Sequence, residues 1–335
     1  MTEQETLDTA QVKIELVGII NSFNRLALLR EALPSLIQAL KHTSLKSAVI
    51  VFDAGSTDGS VEFIKEFTGS KKKIEIICLC PSEDIERSFS AGCNFGVQYA
   101  AQKFPHLQWC FFFETDNLIK NELALSLAVK LIEQKPELAA VGFTVERHDS
   151  KKAGFGSRFP TLLSFLLGQQ LSHKLGLERL DIKEWYPYAE IRWGISDIVF
   201  TSPLLVRYSA WNTTKGMDTA RFPYSDCDND WCWMVYKKGW RVAVLDIPGI
   251  IHDNKMQVSQ WSANRVINFH QARFRLLLKH RGNLILWLKP VLFIRHILEL
   301  LLLILRAFHS AQAKNSIQQR WLMMKIVYKG YETNL

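Results

Sequence analysis

Several signatures that would fix a function class outright are missing from this sequence. The glycine-punctuated turn Asp53-Ala54-Gly55-Ser56-Thr57-Asp58-Gly59-Ser60 has no Gly-Lys-Ser/Thr after it, which excludes a P-loop. Six cysteines, at 78, 80, 93, 110, 227 and 232, show no two-pair spacing, so structural zinc is disfavoured and buried, reduced thiols are expected. Residues 1–10 lack the basic start and apolar run of a secretory signal, and a cytosolic chain is the expectation. No internal repeat or low-complexity stretch stands out. Acid is scarce in one region: residues 265–335 hold 12 Lys/Arg against Glu299 and Glu332, a net of +10. With +8 on the whole chain, the first 264 residues carry −2, so the basic character belongs to the tail. No recognised module accompanies that charge, and nucleic acid is not expected as a partner.

What is present is alternation. Apolar runs at residues 12–20, 48–52, 73–80, 109–113, 139–145 and 241–245 read as strands, and 194–206 returns to a sheet-like pattern. Helical patterns at 26–40, 61–67, 91–101, 121–134 and 231–238 lie between them. The order predicts an α/β fold with a mostly parallel, Rossmann-like sheet covered by helices. Residues 151–190 read as an insertion shaping the acceptor side of a site. The expected division is a catalytic domain over 1–260 and a basic, amphipathic helical extension over 261–335.

The run Trp109-Cys110-Phe111-Phe112-Phe113-Glu114-Thr115-Asp116-Asn117 is a core strand ending in two acids. Open α/β sheets bind ligands at that carboxyl edge. Glu114 and Asp116 share a face in extended chain, and a divalent cation is the obvious partner for the pair. An isolated Glu-x-Asp is equally two solvated acids in a loop. Asp53 ends another strand and can accept from a ribose hydroxyl or a base N–H, or cap a helix. Asp226, Asp228 and Asp230 alternate just before a helix, where a general base or a solvated cap both fit. His252 follows a Pro-Gly turn beside Asp253 and gains value only if it meets Glu114 and Asp116 in space.

Taken together these pieces resemble the family-2 glycosyltransferases of the GT-A fold, within them the bacterial rhamnosyltransferase-like branch. Ile19-Ile20-Asn21-Ser22-Phe23-Asn24-Arg25 is similar to that family's opening strand and turn, and Asp53 to Ser60 to its "D-N-G-S-T-D-G-S". Gly92-Cys93-Asn94-Phe95-Gly96 looks like its "G-x-N-x-G" helix start, and Glu114-Thr115-Asp116 takes the D-x-D-like position. Met217-Asp218, Cys227-Asp228-Asn229-Asp230 and Gly239-Trp240-Arg241 resemble the "F-D…E-D-x-D…G-Y-R" block. The resemblance implies that Ser22, Asn24, Arg25, Asp53, Asn94 and Glu114 bind a nucleotide-sugar donor. It implies Mg²⁺ or Mn²⁺ on the diphosphate, held by Asp116 with Glu114 and His252, and Asp228 as the base in one inverting displacement. Cys227 stands where the family has Glu, and Met234 where it often has Arg. Those departures keep an inactive, nucleotide-binding membrane scaffold as the alternative. The Gln-x-x-Arg-Trp motif of processive synthases is absent, since Gln318-Gln319-Arg320-Trp321 lacks its spacing. Transfer of a single hexosyl or rhamnosyl unit to a lipid-linked oligosaccharide or polysaccharide acceptor is the expectation.

Residues 284–305 are long enough to span a bilayer, but Lys289, Pro290, Arg295, His296 and Glu299 make insertion costly. With Arg306, the charged residues fall on one arc of a helix that is otherwise Leu, Ile, Val and Phe. An interfacial helix offering Arg/Lys to an anionic membrane surface is expected, peripheral on the cytoplasmic face of the plasma membrane. Packing on the catalytic domain or within a homodimer is the alternative.

Overall fold

The computed structural model describes residues 13–70, 74–147, 149, 152–154, 156–177, 182, 184–252, 263–308 and 311–329. Residues 1–10, Asp253 and the domain boundary expected near 261 lie outside them. The apolar runs form strands and the amphipathic stretches between them form helices. In chain order these are β1 (Leu16–Ser22), α1 (Leu26–Lys41), β2 (Ser47–Asp53), α2 (Ser60–Ser70), β3 (Glu75–Leu79), α3 (Phe89–Lys103) and β4 (Trp109–Phe112). Next come β5 (Leu118–Ile119), α4 (Ala124–Gln134), β6 (Leu138–Phe143), β7 (Val145–Glu146) and β8 (Lys152–Gly154). The expected insertion contributes α5 (Leu162–Leu167), α6 (Gln169–Lys174) and β9 (Tyr186–Tyr188). β10 (Ile191–Ser196), β11 (Leu204–Arg207), α7 (Tyr208–Thr214), α8 (Cys227–Lys237), β12 (Arg241–Asp246) and β13 (Ile250–Ile251) complete the sheets. Four helices follow: α9 (Ala263–Arg281), α10 (Leu284–Trp287), α11 (Lys289–Ala307) and α12 (Ala311–Lys329).

The main sheet has nine strands in the order β3-β2-β1-β4-β11-β6-β12-β10-β9. β11 and β10 run against the other seven, so the sheet is mostly parallel, as expected. β2, β4 and β6 are buried at every position because helices cover both faces. Side chains alternate across the sheet: Phe111 and Phe113 join one apolar layer and Phe112 the other, against Trp211 at 4.8 Å. The parallel register Ser22↔Asp53 and Ile19↔Phe112 brings the loops after β1, β2 and β4 to one edge. A small sheet, β5-β13-β7-β8, closes over that edge.

The tail differs from expectation in two respects. Residues 284–305 are not one helix: the chain breaks at Leu288, and Pro290, which has no N–H to give, sits in the first turn of α11. The polar arc of α11 also faces the protein. Arg295 donates to the carbonyls of Phe165 and Leu166 at 2.8 and 3.0 Å, and Arg320 of α12 pairs with Glu299 at 2.6 Å. Those partners, with His296 Nδ1 at 2.8 Å from Arg320, tie the polar arc to the protein rather than leaving it on the outer face of the helix. Turned outward instead is a stripe at three- and four-residue spacing: Trp287, Val291, Ile294, Leu298, Leu301 and Leu305. Among the described residues no helix is long and apolar enough to cross a membrane.

Gly92 sets how closely α3 approaches the sheet. A Cβ there would stand 2.3 Å from Asn21 Oδ1 and 2.8 Å from the Phe52 ring. Gly92→Ala should therefore destabilise the fold by about 1–3 kcal/mol through overpacking, read as a lower denaturant midpoint at unchanged slope.

Candidate active site

Two loops at the carboxyl edge are braced against each other. The Ala54 N–H donates to the Ser22 carbonyl, the Asn24 N–H to Ser56 Oγ, and the Thr57 N–H to Asn24 Oδ1, each at 2.8 Å. Asp53 is wholly buried and accepts from the Gly55 and Ser56 N–H groups at 3.0 and 2.7 Å and from the Ser56 hydroxyl at 2.7 Å. Asp53 and Asn24 thus organise the loops and do not line the cavity they frame. Asn94 also lies off that cavity. Its amide donates to the Met217 carbonyl at 2.8 Å and accepts from the Met217 N–H at 2.9 Å, pinning a distant loop. In all three cases a short polar side chain is spent on orphaned backbone groups.

The cavity itself measures about 590 Å³ and is lined by Ser22, Arg25, Phe52, Arg87, Tyr224 and the Glu114–Asp116 turn, among others. Ser22 and Arg25 fall there as expected. Arg87 and Tyr224 were not anticipated; both come from loops with no regular pattern, and Arg87 is positioned by long-range packing. Its Nη1 lies 2.7 Å from where a Cβ of residue 55 would stand, and Gly55 has φ of +95°, so only glycine fits there. Two guanidinium groups opposite two carboxylates suit a ligand that carries both phosphate and metal.

β-Pairing explains how His252 reaches Asp116. β13 lies antiparallel to β5 with Ile251↔Leu118, so the next pair is His252 beside Asn117. His252 Nδ1 is 2.9 Å from Asn117 Oδ1 and 3.7 Å from Asp116 Oδ1. Among the described residues no cluster of three His, Cys, Asp or Glu is arranged around a metal position. One carboxylate and one imidazole at this separation fit a cation that takes its remaining ligands from substrate phosphate and water. Glu114 turns the other way, accepting a hydrogen bond from the Ser202 hydroxyl with Thr201 alongside.

A second cavity, of about 350 Å³, is lined by Glu114, Arg147, Phe200, Ser202, Asp228 and His252, among others. The three alternating acids resolve into different roles here. Asp226 accepts from Arg273 at 2.9 and 3.1 Å, and Asp230 meets Lys279 at 2.9 Å and His280 at 2.7 Å. Among the described residues no cation pairs with Asp228, and the Asn229 N–H donates to it at 2.8 Å. Burial above all, then the neighbouring Asp226 charge, pushes its carboxyl up to about 7, where a general base works well. The two departures from the family pattern lie off the cavity: Cys227 packs into the core, and Met234 Sδ lies 3.8 Å from Lys279 Nζ.

The comparisons agree with this architecture. The profile described as "Glycosyl transferase family 2" matches residues 19–193, more than half of the chain. The chain belongs to glycosyl transferase family 2. Among solved structures, the mannosyltransferase PcManGT from Pyrobaculum calidifontis, in complex with GDP-Man and Mn²⁺, is 12% identical with a TM-score of 0.55. That alignment covers 96% of this chain and 88% of the other. S. aureus TarS 1-349, in complex with UDP, is 13% identical over 83% of this chain and 70% of its own, TM-score 0.46. No curated protein sequence matches. At that identity the mannosyltransferase structure establishes the shared GT-A fold.

Asp228 should leave a signature in stability. An unfolded Asp titrates near 3.9, so between about pH 4 and 7 the native state binds more protons, and stability falls as pH rises through that window. Asp228→Asn removes the titration. The variant should gain on the order of 2–4 kcal/mol over the wild type on going from pH 4 to pH 8, measured by urea unfolding at both.

Proposed function

We propose that the chain is an inverting, metal-dependent glycosyltransferase that moves one hexosyl or rhamnosyl unit from a nucleotide-sugar to a lipid-linked oligosaccharide or polysaccharide acceptor. The observation that carries this reading is that Glu114 lines both cavities, with Asp116 on one and Asp228 and His252 on the other. Donor diphosphate would lie in the larger cavity against Arg25 and Arg87, and the acceptor hydroxyl would enter the smaller. The Asp228 carboxylate takes the hydroxyl proton as the oxygen attacks the anomeric carbon. The bond from that carbon to the β-phosphate oxygen breaks, and its electron pair leaves on the nucleoside diphosphate. Mg²⁺ or Mn²⁺, held by Asp116 and His252, would neutralise that leaving charge when bound. The mannosyltransferase of like fold holds GDP-Man and Mn²⁺, which supports the donor and metal classes. A catalytically inactive scaffold is disfavoured because Cys227 and Met234 leave the cavities unchanged.

The outward stripe on α10 and α11 supports work at a membrane, on the cytoplasmic face. In this orientation the outward apolar stripe would meet the acyl region, and Arg295 and Glu299 hold the helix to the protein.

Two experiments test the reading. With a panel of UDP-, GDP- and dTDP-sugars and Mn²⁺, Asp228→Asn should lower transfer about 10²–10⁴-fold while donor affinity holds. Asp116→Ala should abolish the response to Mn²⁺. Full activity in Asp228→Asn protein would sink the base assignment. For the membrane, wild-type protein should float with anionic vesicles and the double variant Leu298→Glu/Leu305→Glu should not. A stable dimer by light scattering that ignores vesicles would make the stripe a subunit interface instead.

A further inference from the structure

A third cavity, of about 520 Å³, lies among α5, α6, α9, α11 and α12, away from the donor cavity and the Asp228 cavity. Four arginines line it, Arg273, Arg295, Arg306 and Arg320, against one acid, Glu299. Counting Asp226 behind Arg273 as well, four positive charges face two negative ones, an excess of +2. Ser316 and Gln319 on α12 add neutral polar groups. Guanidinium forks match phosphate geometry, and an excess of them in a cavity attracts an anion. Arg273, Arg295 and Arg320 are held by Asp226, by the end of α5 and by Glu299, so their charge is already in place without a ligand.

The rim adds the second half of the recognition. Leu171 and Leu302 line the same cavity and are exposed, and Leu302 stands one turn before Arg306 on α11. Leu302 also borders the outward apolar stripe at Leu298 and Leu305. A soluble anion has no use for an apolar rim that runs into a long apolar face. An anionic head with an apolar chain uses both.

Resting on the membrane reading above, we propose that this cavity holds the phosphoryl head of a membrane amphiphile, with the lipid chain lying along the α11 stripe. The acceptor then belongs to the class of phosphate- or diphosphate-linked lipids. Arg273 touches the cavity on one side and Asp226, two residues from Asp228, on the other. Occupancy is therefore sensed at the loop that carries the proposed base.

The test uses the full chain and phosphatidylcholine vesicles doped with either phosphatidic acid or phosphatidylserine at matched charge. The wild type should prefer phosphatidic acid, whose phosphate is terminal. Arg306→Glu and Gln319→Glu, both at the cavity and outside the catalytic machinery, should each weaken binding to those vesicles about tenfold while phosphatidylserine binding changes little. Thermal melts confirm that each variant folds. Equal binding to both lipids, or variants that leave the preference intact, would overturn the proposal. So would inorganic pyrophosphate binding as tightly as the lipid, which would assign the cavity to a free anion. Nucleoside diphosphate release, assayed on the same variants, should remain measurable without vesicles; its absence in the wild type would count against the transferase reading and not against the cavity.

Discussion

Arg273 leaves α9 and closes two hydrogen bonds on the buried carboxylate of Asp226, and much of the site is arranged around that pair. Removing either partner would strand an uncompensated buried charge, a loss of about 3–5 kcal/mol. Asp226 caps the start of α8 with φ of +60°, a conformation that a non-glycine residue adopts only when its surroundings hold it there. The same helix face sends Lys279 to Asp218 and Asp230, and His280 to Asp230. Two of three alternating acids are therefore neutralised and the third is not. α9 is integral to the body of the protein for that reason: Phe274, Leu276 and Leu277 are buried in the core, and its cations pair with Asp226 and Asp230.

Much of this was legible in sequence. Continuous apolar runs such as Val49 to Phe52 and Phe111 to Phe113 read as strands covered on both faces, and the structure buries them inside the main sheet. Asp116 and His252, each read as following a strand, meet in the structure, and Asp228 shares a cavity with His252. Less legible was the difference between touching a ligand and bracing the residue that does. Asn24, Asp53 and Asn94 are short polar residues at loop ends, the types that suit either task. Which task each performs depends on backbone partners such as Thr57 and Met217, at separations of 33 and 123 residues for Asn24 and Asn94. Arg87 carried no local signal at all, because its place over Gly55 exists only after β2 and β3 pair.

The orientation of α11 was the least legible feature. Periodicity separates a polar arc from an apolar one but does not say which arc meets the protein. Burial of large apolar side chains would put the leucines inward. What reverses it is a set of polar partners already waiting: the Phe165 and Leu166 carbonyls at the end of α5, and Arg320 from a helix further along the chain. Turning the helix over would take Arg295 and Glu299 from these partners and set leucines against Arg320 and the two carbonyls, leaving polar groups unpaired under the helix.

That reversal leaves an apolar face wetted along the whole of α11, far beyond the scattered single residues normal on a soluble surface. Each exposed leucine forgoes roughly 1.5–3 kcal/mol of burial, so a covered stripe would be favoured strongly over a wetted one. The polar network under the helix supplies the rigidity for such a contact, since Arg295 ties α11 to α5 and Glu299 ties it to α12. Through Arg273 the adjoining α9 reaches the Asp226–Asp228 loop. A surface that docks on α11 is thereby joined to the proposed base by a short chain of buried ion pairs and packed helices, and not by a flexible linker. On the proposed reading, contact at the α11 stripe and the placement of Asp228 are therefore mechanically linked.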